Sequence, residues 1–136
     1  MFDVGHNPNA AEAFVKALKH HYDGLPMCVV AGIMQDKDIG GIVHHYSKAA
    51  ARFIFTHPKT NRAAPPEQIA AHVPAGFKGP CECIPDIDKA ISAALSGSEK
   101  IVCVVGSFFT VGEAMTALGI EPYGRTGLSI KSNLSG

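Results

Sequence analysis

The 136-residue chain lacks most of the features that would announce a common function. Its twelve Lys and Arg residues are matched by twelve Asp and Glu, for a formal net charge of zero, and no block of either sign stands out. An electrostatic case for nucleic acid or a membrane surface as partner is therefore missing. No apolar run is long enough to span a bilayer, and the N-terminus has no signal-peptide character. There is no G-x-x-x-x-G-K-S/T phosphate loop, no G-x-G-x-x-G after the first strand, and no G-x-S-x-G turn. These absences exclude an autonomous P-loop ATPase, a standard dinucleotide-binding domain and a serine hydrolase of the elbow type.

Cysteine is sparse as well. Of the four, Cys28 and Cys103 lie inside apolar runs and read as small buried hydrophobes. Cys81-Glu82-Cys83 has no second pair at zinc spacing, so alternating strand residues explain it better than a metal. His44-His45 lacks a third ligand and reads as a solvated helix face. His20-His21, at the end of the first helix, suits that helix's terminal carbonyls. No metal site is expected. The cysteine usage points to a reducing, cytoplasmic compartment.

What is present is a regular alternation. Short apolar runs at Phe2–Val4, Met27–Ile33, Arg52–Thr56, Pro80–Ile84 and Ile101–Val105 read as strands. The last of these is the most hydrophobic and is expected at the centre. Helical stripes lie between them, opened by cap residues Asn7 (followed by Pro8), Asp38, Asp86 and Ser107, with Pro65-Pro66 opening one more. Gly97 is expected in the left-handed position that ends a helix, and Leu128–Ile130 suggests an added edge strand. Strands alternating with helices predict one α/β domain over residues 1–136. Its expected form is a three-layer, Rossmann-like, mostly parallel sheet of five to six strands with helices on both faces.

In such a sheet ligands gather at the carboxyl ends of the strands. That rule selects five loops: Asp3–Asn7, Met34–Asp38, His57–Arg62, Pro85-Asp86 and Gly106-Ser107. They hold much of the chain's Asp, His, Lys and Arg that does not fall on a helix face. The opposite loops, Asp23-Gly24 and Gly97-Ser98, are ordinary turns.

Four of the rim stretches carry a resemblance. Asp3-Val4-Gly5-His6-Asn7-Pro8-Asn9-Ala10 is similar to the D-x-A-H-N-P-x-A motif of folylpolyglutamate synthases. Gly32-Ile33-Met34-Gln35-Asp36-Lys37-Asp38 resembles their G-M-x-x-D-K-D segment. Asn61-Arg62-Ala63 resembles their P-R-A loop, and Gly106-Ser107-Phe108-Phe109-Thr110-Val111-Gly112-Glu113 their G-S-F/L-x-x-V-G-E turn. The four occur in register across nearly the whole chain. Two departures are visible: Gly5 stands for the usual Ala, and Asn61 for the usual Pro.

The resemblance implies the C-terminal domain of a folylpolyglutamate/dihydrofolate synthase, within the Mur-ligase-like ATP-dependent amide ligases. In that family an N-terminal ATPase domain carries the phosphate loop and the Mg2+ ligands. Met1 standing directly before a strand end suggests a chain cut from such a longer enzyme. The implied reaction activates the carboxylate of folate or dihydropteroate as an acyl phosphate with Mg-ATP, and the amine of L-glutamate then attacks. No catalytic set is complete in this chain alone, so the isolated domain is expected to be inactive. The implied ATP contacts are Asp3, through the ribose hydroxyls, and His6, near the phosphates or the incoming glutamate. His6 is also the one catalytic candidate. Ser107, Lys37 and Arg62 are candidates for glutamate or phosphate.

Plainer readings stand beside each of these. Asp3 can cap its own turn, His6 can hold its loop, Ser107 can be a helix cap and Lys37 can pair with Asp36. Two other functions stay open: the C-terminal domain of a Mur-type ligase making peptidoglycan precursors, and a stand-alone, non-enzymatic nucleotide-binding or scaffolding module.

Overall fold

The computed structural model describes residues 1–120. The elements run β1 (Phe2–Asp3), α1 (Pro8–Tyr22), β2 (Met27–Ala31), α2 (Ile39–Ser47), β3 (Arg52–Phe55), α3 (Pro66–Ala70), β4 (Cys81–Cys83), α4 (Ile87–Ser96), β5 (Ile101–Val105) and α5 (Phe108–Ala117). The five strands form one sheet in the order β1-β5-β2-β3-β4. Every pairing is parallel. The segment 128–130, expected as an edge strand, lies outside the described residues.

Strand alternation divides the core. Met27, Val29, Ala31, Phe53, Phe55, Ile101, Cys103 and Val105 face one layer, with Val15 and Leu18 of α1, Ile42 and Tyr46 of α2, and Ile69 of α3. Cys28, Val30, Ile54, Val102 and Val104 face the other, against Ile91 and Ala94 of α4 and Val111 and Met115 of α5. The three layers follow from this period-two alternation between two helix stripes at helical spacing. Phe53 and Phe55 stack with ring centroids 5.1 Å apart, and Phe77 tilts against Phe53 at the same distance.

The helix starts behave as their residues dictate. Asn7, Asp38, Asp86 and Ser107 each accept, through the side chain, a backbone N–H three residues on. Three expectations need correction. The central strand is β2, not β5: β5 is interior, flanked by β1 and β2, but two strands lie beyond β2 on its other side and only β1 beyond β5. Gly97 has φ −77° and ψ 177°, an extended conformation, so α4 ends without a left-handed residue. The apolar run from Met27 leaves the sheet at Ala31. Gly32, Ile33 and Met34 stay buried; Gly32 N–H still bonds Val105 O, but Ile33 and Met34 turn to the loop after β3. Hydrophobicity reported burial there, not strand.

At the opposite end of the sheet from the rim, the Arg52 guanidinium joins Glu82 at 3.0 Å and Glu99 at 3.1 Å and donates to the Ala93 carbonyl at 3.2 Å. One side chain thus fastens β3 to β4 and to the ends of α4 and its following loop. No described helix is long and apolar enough to cross a membrane.

The thiols test the layering. Cys28 and Cys103 are wholly buried, and burial pushes the Cys103 thiol up to about 12, whereas Cys81 and Cys83 are exposed on edge strand β4. Two thiols are expected to react with a disulfide reagent in the native protein and two more only on denaturation. Four fast thiols would contradict the burial of β2 and β5.

Candidate functional site

The rim loops are joined to one another. After β2, Gly32 N–H still bonds Val105 O at 3.1 Å, and Gly106 N–H bonds Asp3 O at 3.2 Å. Beyond that the loops after β2 and β3 pair with each other. Ala64 N–H donates to Ile33 O and Gln35 N–H to Arg62 O, both at 2.8 Å, and the Gln35 amide donates to Ala63 O at 3.3 Å. Met34 and Ala63 form an isolated antiparallel bridge. This stitching sets Lys37 and Arg62 on one concavity. On the far side the Thr56 hydroxyl and His57 N–H both bond Pro85 O, at 3.0 and 3.1 Å, and tie the third rim loop to the fourth.

A buried hydroxyl chain locks the fifth loop. Thr110 Oγ donates to Gly32 O at 2.7 Å, so in the 2.8 Å contact between the two hydroxyls Ser107 is the donor and Thr110 Oγ the acceptor. Thr110 N–H in turn donates to Ser107 Oγ at 3.1 Å. Gly106 has φ +118°, and a Cβ there would lie 2.3 Å from Gly32 O. A Cβ on Gly32 would meet Thr110 Oγ at 2.6 Å. The two glycines therefore allow the β2 and β5 rims to touch, in backbone geometry that L side chains resist at Gly106.

The result is a cavity of about 160 Å³ lined by His6, Met34, Lys37, Arg62, Ser107, Phe108 and Phe109. Four of the five expected site residues meet there. Lys37 also sits 3.7 Å from Asp36, so it forms the expected ion pair and still lines the cavity. His6 and Arg62 are exposed at its mouth. The Ser107 hydroxyl is taken up by the cap. An anion at this end of α5 would instead meet first-turn backbone N–H groups, which helix geometry leaves without intrahelical partners. The cavity thus joins a permanent guanidinium, an ammonium, an imidazole and a helix N-terminus. That set suits a carboxylate or phosphate oxygen group, and the volume suits a fragment of that size.

Asp3, the fifth expected site residue, stands at the end of β1 and does not line this cavity. Its Oδ1 accepts Gly5 N–H at 2.9 Å and its Oδ2 accepts the Tyr46 hydroxyl. The turn-capping arrangement is thus present. An ionised carboxylate has about four lone-pair positions, so two bonds leave capacity for a ligand hydroxyl.

The fourth rim loop faces a separate and larger depression, of about 700 Å³. Asp86, Lys59 and Glu113 line it, and Phe108 and Phe109 line both concavities. Glu113 accepts Lys59 N–H at 2.6 Å. Sequence reasoning missed Tyr46, Thr110 and the two exposed phenylalanines. Phe108 is 72% exposed and Phe109 44%. Tyr46 had one legible signal: a tyrosine on an apolar helix stripe needs a partner for its hydroxyl. Among the described residues no group of three or more His, Cys, Asp or Glu side chains could hold a metal ion.

A parallel sheet with its polar rim at the strand ends and a cationic cavity beside a helix N-terminus defines a ligand-binding α/β domain of the Rossmann-like class. Residues 1–108 match the family model of the Mur ligase glutamate ligase domain, and the chain belongs to that family. It is 29% identical over 120 residues to the dihydrofolate synthase/folylpolyglutamate synthase of Escherichia coli K12, covering 87% of this chain and 27% of that protein. Against the Mycobacterium tuberculosis protein of the same name the identity is 29% over 137 residues, covering 88% of this chain and 28% of that one. The chain therefore spans little more than a quarter of the length of these relatives. Among solved structures, M. tuberculosis folylpolyglutamate synthase complexed with ADP and AMPPCP superposes with a TM-score of 0.76 at 25% identity, over 88% of this chain and 29% of that one. Escherichia coli FolC in complex with DHPP and ADP gives 0.76 at 28% identity, over 85% and 27%.

The Gly106–Gly32 contact yields a paired prediction. Gly106→Ala is expected to destabilise the fold by about 2 kcal/mol or more. Gly112, inside α5 with nothing within 4 Å of an added Cβ, is its control. Gly112→Ala is expected to stabilise by roughly 0.5–1 kcal/mol. Urea unfolding measures both, and equal midpoints would refute the close-approach account.

Proposed function

We propose that this chain is the C-terminal domain of a folylpolyglutamate/dihydrofolate synthase, an ATP-dependent ligase that joins L-glutamate to folate or dihydropteroate. The observation that carries the reading is the convergence of His6, Lys37 and Arg62 on one small cavity at the start of α5, each supplied by a different family-like loop. Family membership and the likeness to folate ligases over most of the chain support it.

In this reading the cavity holds one anionic end of the reaction, a glutamate carboxylate or a phosphate group. Arg62 offers a planar fork to a pair of oxygens, and Lys37 a compact charge whose field Asp36 moderates. His6, at the mouth, is placed to hydrogen-bond the phosphates or the incoming glutamate. Asp3 accepts hydrogen bonds from the ribose of ATP. ATP supplies the activation of the acceptor carboxylate. The phosphate loop and the Mg2+ ligands belong, in this reading, to an N-terminal ATPase domain of the same polypeptide. Domain closure brings the two halves of the site together.

Two outcomes are expected. The 136-residue chain alone neither hydrolyses ATP nor ligates glutamate, and turnover by the purified chain would overturn the divided-site reading. In the ligase containing this domain, Asp3→Asn raises the KM for ATP by about tenfold or more, through loss of charge-assisted hydrogen bonds. Asparagine is preferred to alanine because it keeps the side chain's shape, its oxygen can still accept Gly5 N–H and its NH2 can donate to the Tyr46 hydroxyl oxygen. An unchanged ATP KM removes Asp3 from the site. Assaying folate-type against UDP-linked acceptors separates this ligase from a peptidoglycan-precursor enzyme.

A further inference from the structure

We propose that Tyr46 is a positioning residue for nucleotide recognition, holding the Asp3 carboxylate in a single orientation from the neighbouring helix. The inference rests on the reading that Asp3 receives the ribose hydroxyls. β1 is only two residues long and lies at the sheet edge, paired on one side alone among the described strands. Backbone bonding there is the least extensive in the rim, and an aspartate at its end has two free torsions of its own. Two hydrogen bonds remove that freedom. Gly5 N–H takes Oδ1 at 2.9 Å, and the Tyr46 hydroxyl, 43 residues away on α2, takes Oδ2.

Tyr46 is itself immobilised. It is 1% exposed within the core that contains α1 and α2, and its ring meets Phe14 edge-on with centroids 6.5 Å apart. Burial, reinforced by the adjacent carboxylate, pushes the phenol far above its ordinary range. It therefore stays a donor at every working pH, and its hydroxyl proton points at Asp3 Oδ2. A phenylalanine would fill the same space and leave Asp3 tied through one oxygen only.

The test compares wild type, Tyr46→Phe and Asp3→Asn in the ligase containing this domain, by binding of ATP and of 2′,3′-dideoxy-ATP. Wild type is expected to prefer ATP. Tyr46→Phe is expected to lose ATP affinity on the order of tenfold, with dideoxy-ATP affinity, kcat at saturating ATP and the glutamate KM unchanged. The ratio of the two affinities within one variant does not depend on the fraction folded. If Tyr46→Phe weakens both nucleotides equally, Tyr46 is merely structural and the proposal fails. If Asp3→Asn abolishes the preference while Tyr46→Phe keeps it, the proposal fails and the Asp3 reading survives. If neither variant alters the preference, the Asp3 reading itself is wrong and this proposal falls with it.

Discussion

The buried hydroxyl of Thr110, bonded to the carbonyl of Gly32, is the contact around which the rim is organised. A carbonyl at the end of a sheet strand, out of water and without a ladder partner, is costly to leave unpaired. Thr110 supplies its partner from the first turn of α5. Because the same hydroxyl accepts from Ser107, one short chain of bonds caps α5, orients it against the sheet and fixes the distance between the β2 and β5 rims. Gly106 and Gly32 are the sequence requirement for this closeness. Move α5 away and the cavity loses Ser107, Phe108 and Phe109 together.

The cavity's charge is notable on a chain of zero net charge. No cationic block exists in the sequence. The local excess comes from folding, which draws Lys37 and Arg62 from two loops and adds the end of a helix dipole. Acids elsewhere are engaged in other contacts: Glu82 and Glu99 pair with Arg52 at the other end of the sheet, and Glu113 accepts the backbone N–H of Lys59 in the adjoining depression. Asp36 stays close, beside Lys37.

Much of this was legible beforehand, for local reasons. The caps at Asn7, Asp38, Asp86 and Ser107 are short-range hydrogen bonds set by residue type, and each forms as read. The strand-end rule placed Lys37, Arg62, His6 and Ser107 on one rim without any contact being known. What stayed hidden depends on long-range partners. Asp36, Lys37 and Asp38 look alike as strings of charge, yet one pairs with Lys37, one lines the cavity and one caps α2. Tyr46 reads as one more apolar helix residue until Asp3 arrives from the other end of the chain. The place of β5 in the sheet likewise depends on which strands it pairs with, β1 and β2, and its own hydrophobicity cannot express that.

That pairing also has a temporal side. Phe2 pairs with Val104 and Asp3 with Val105 from the far end of the domain, and Asp3 O bonds Gly106 N–H beside them. Closing so long a loop costs entropy that neighbouring contacts repay only once both ends are in place. On a ribosome, β2 and β3 can pair early, while β1 must wait unpartnered until β5 has emerged. The rim's first loop, though it precedes the rest of this domain in the chain, is thus among the last of its pieces to acquire its shape.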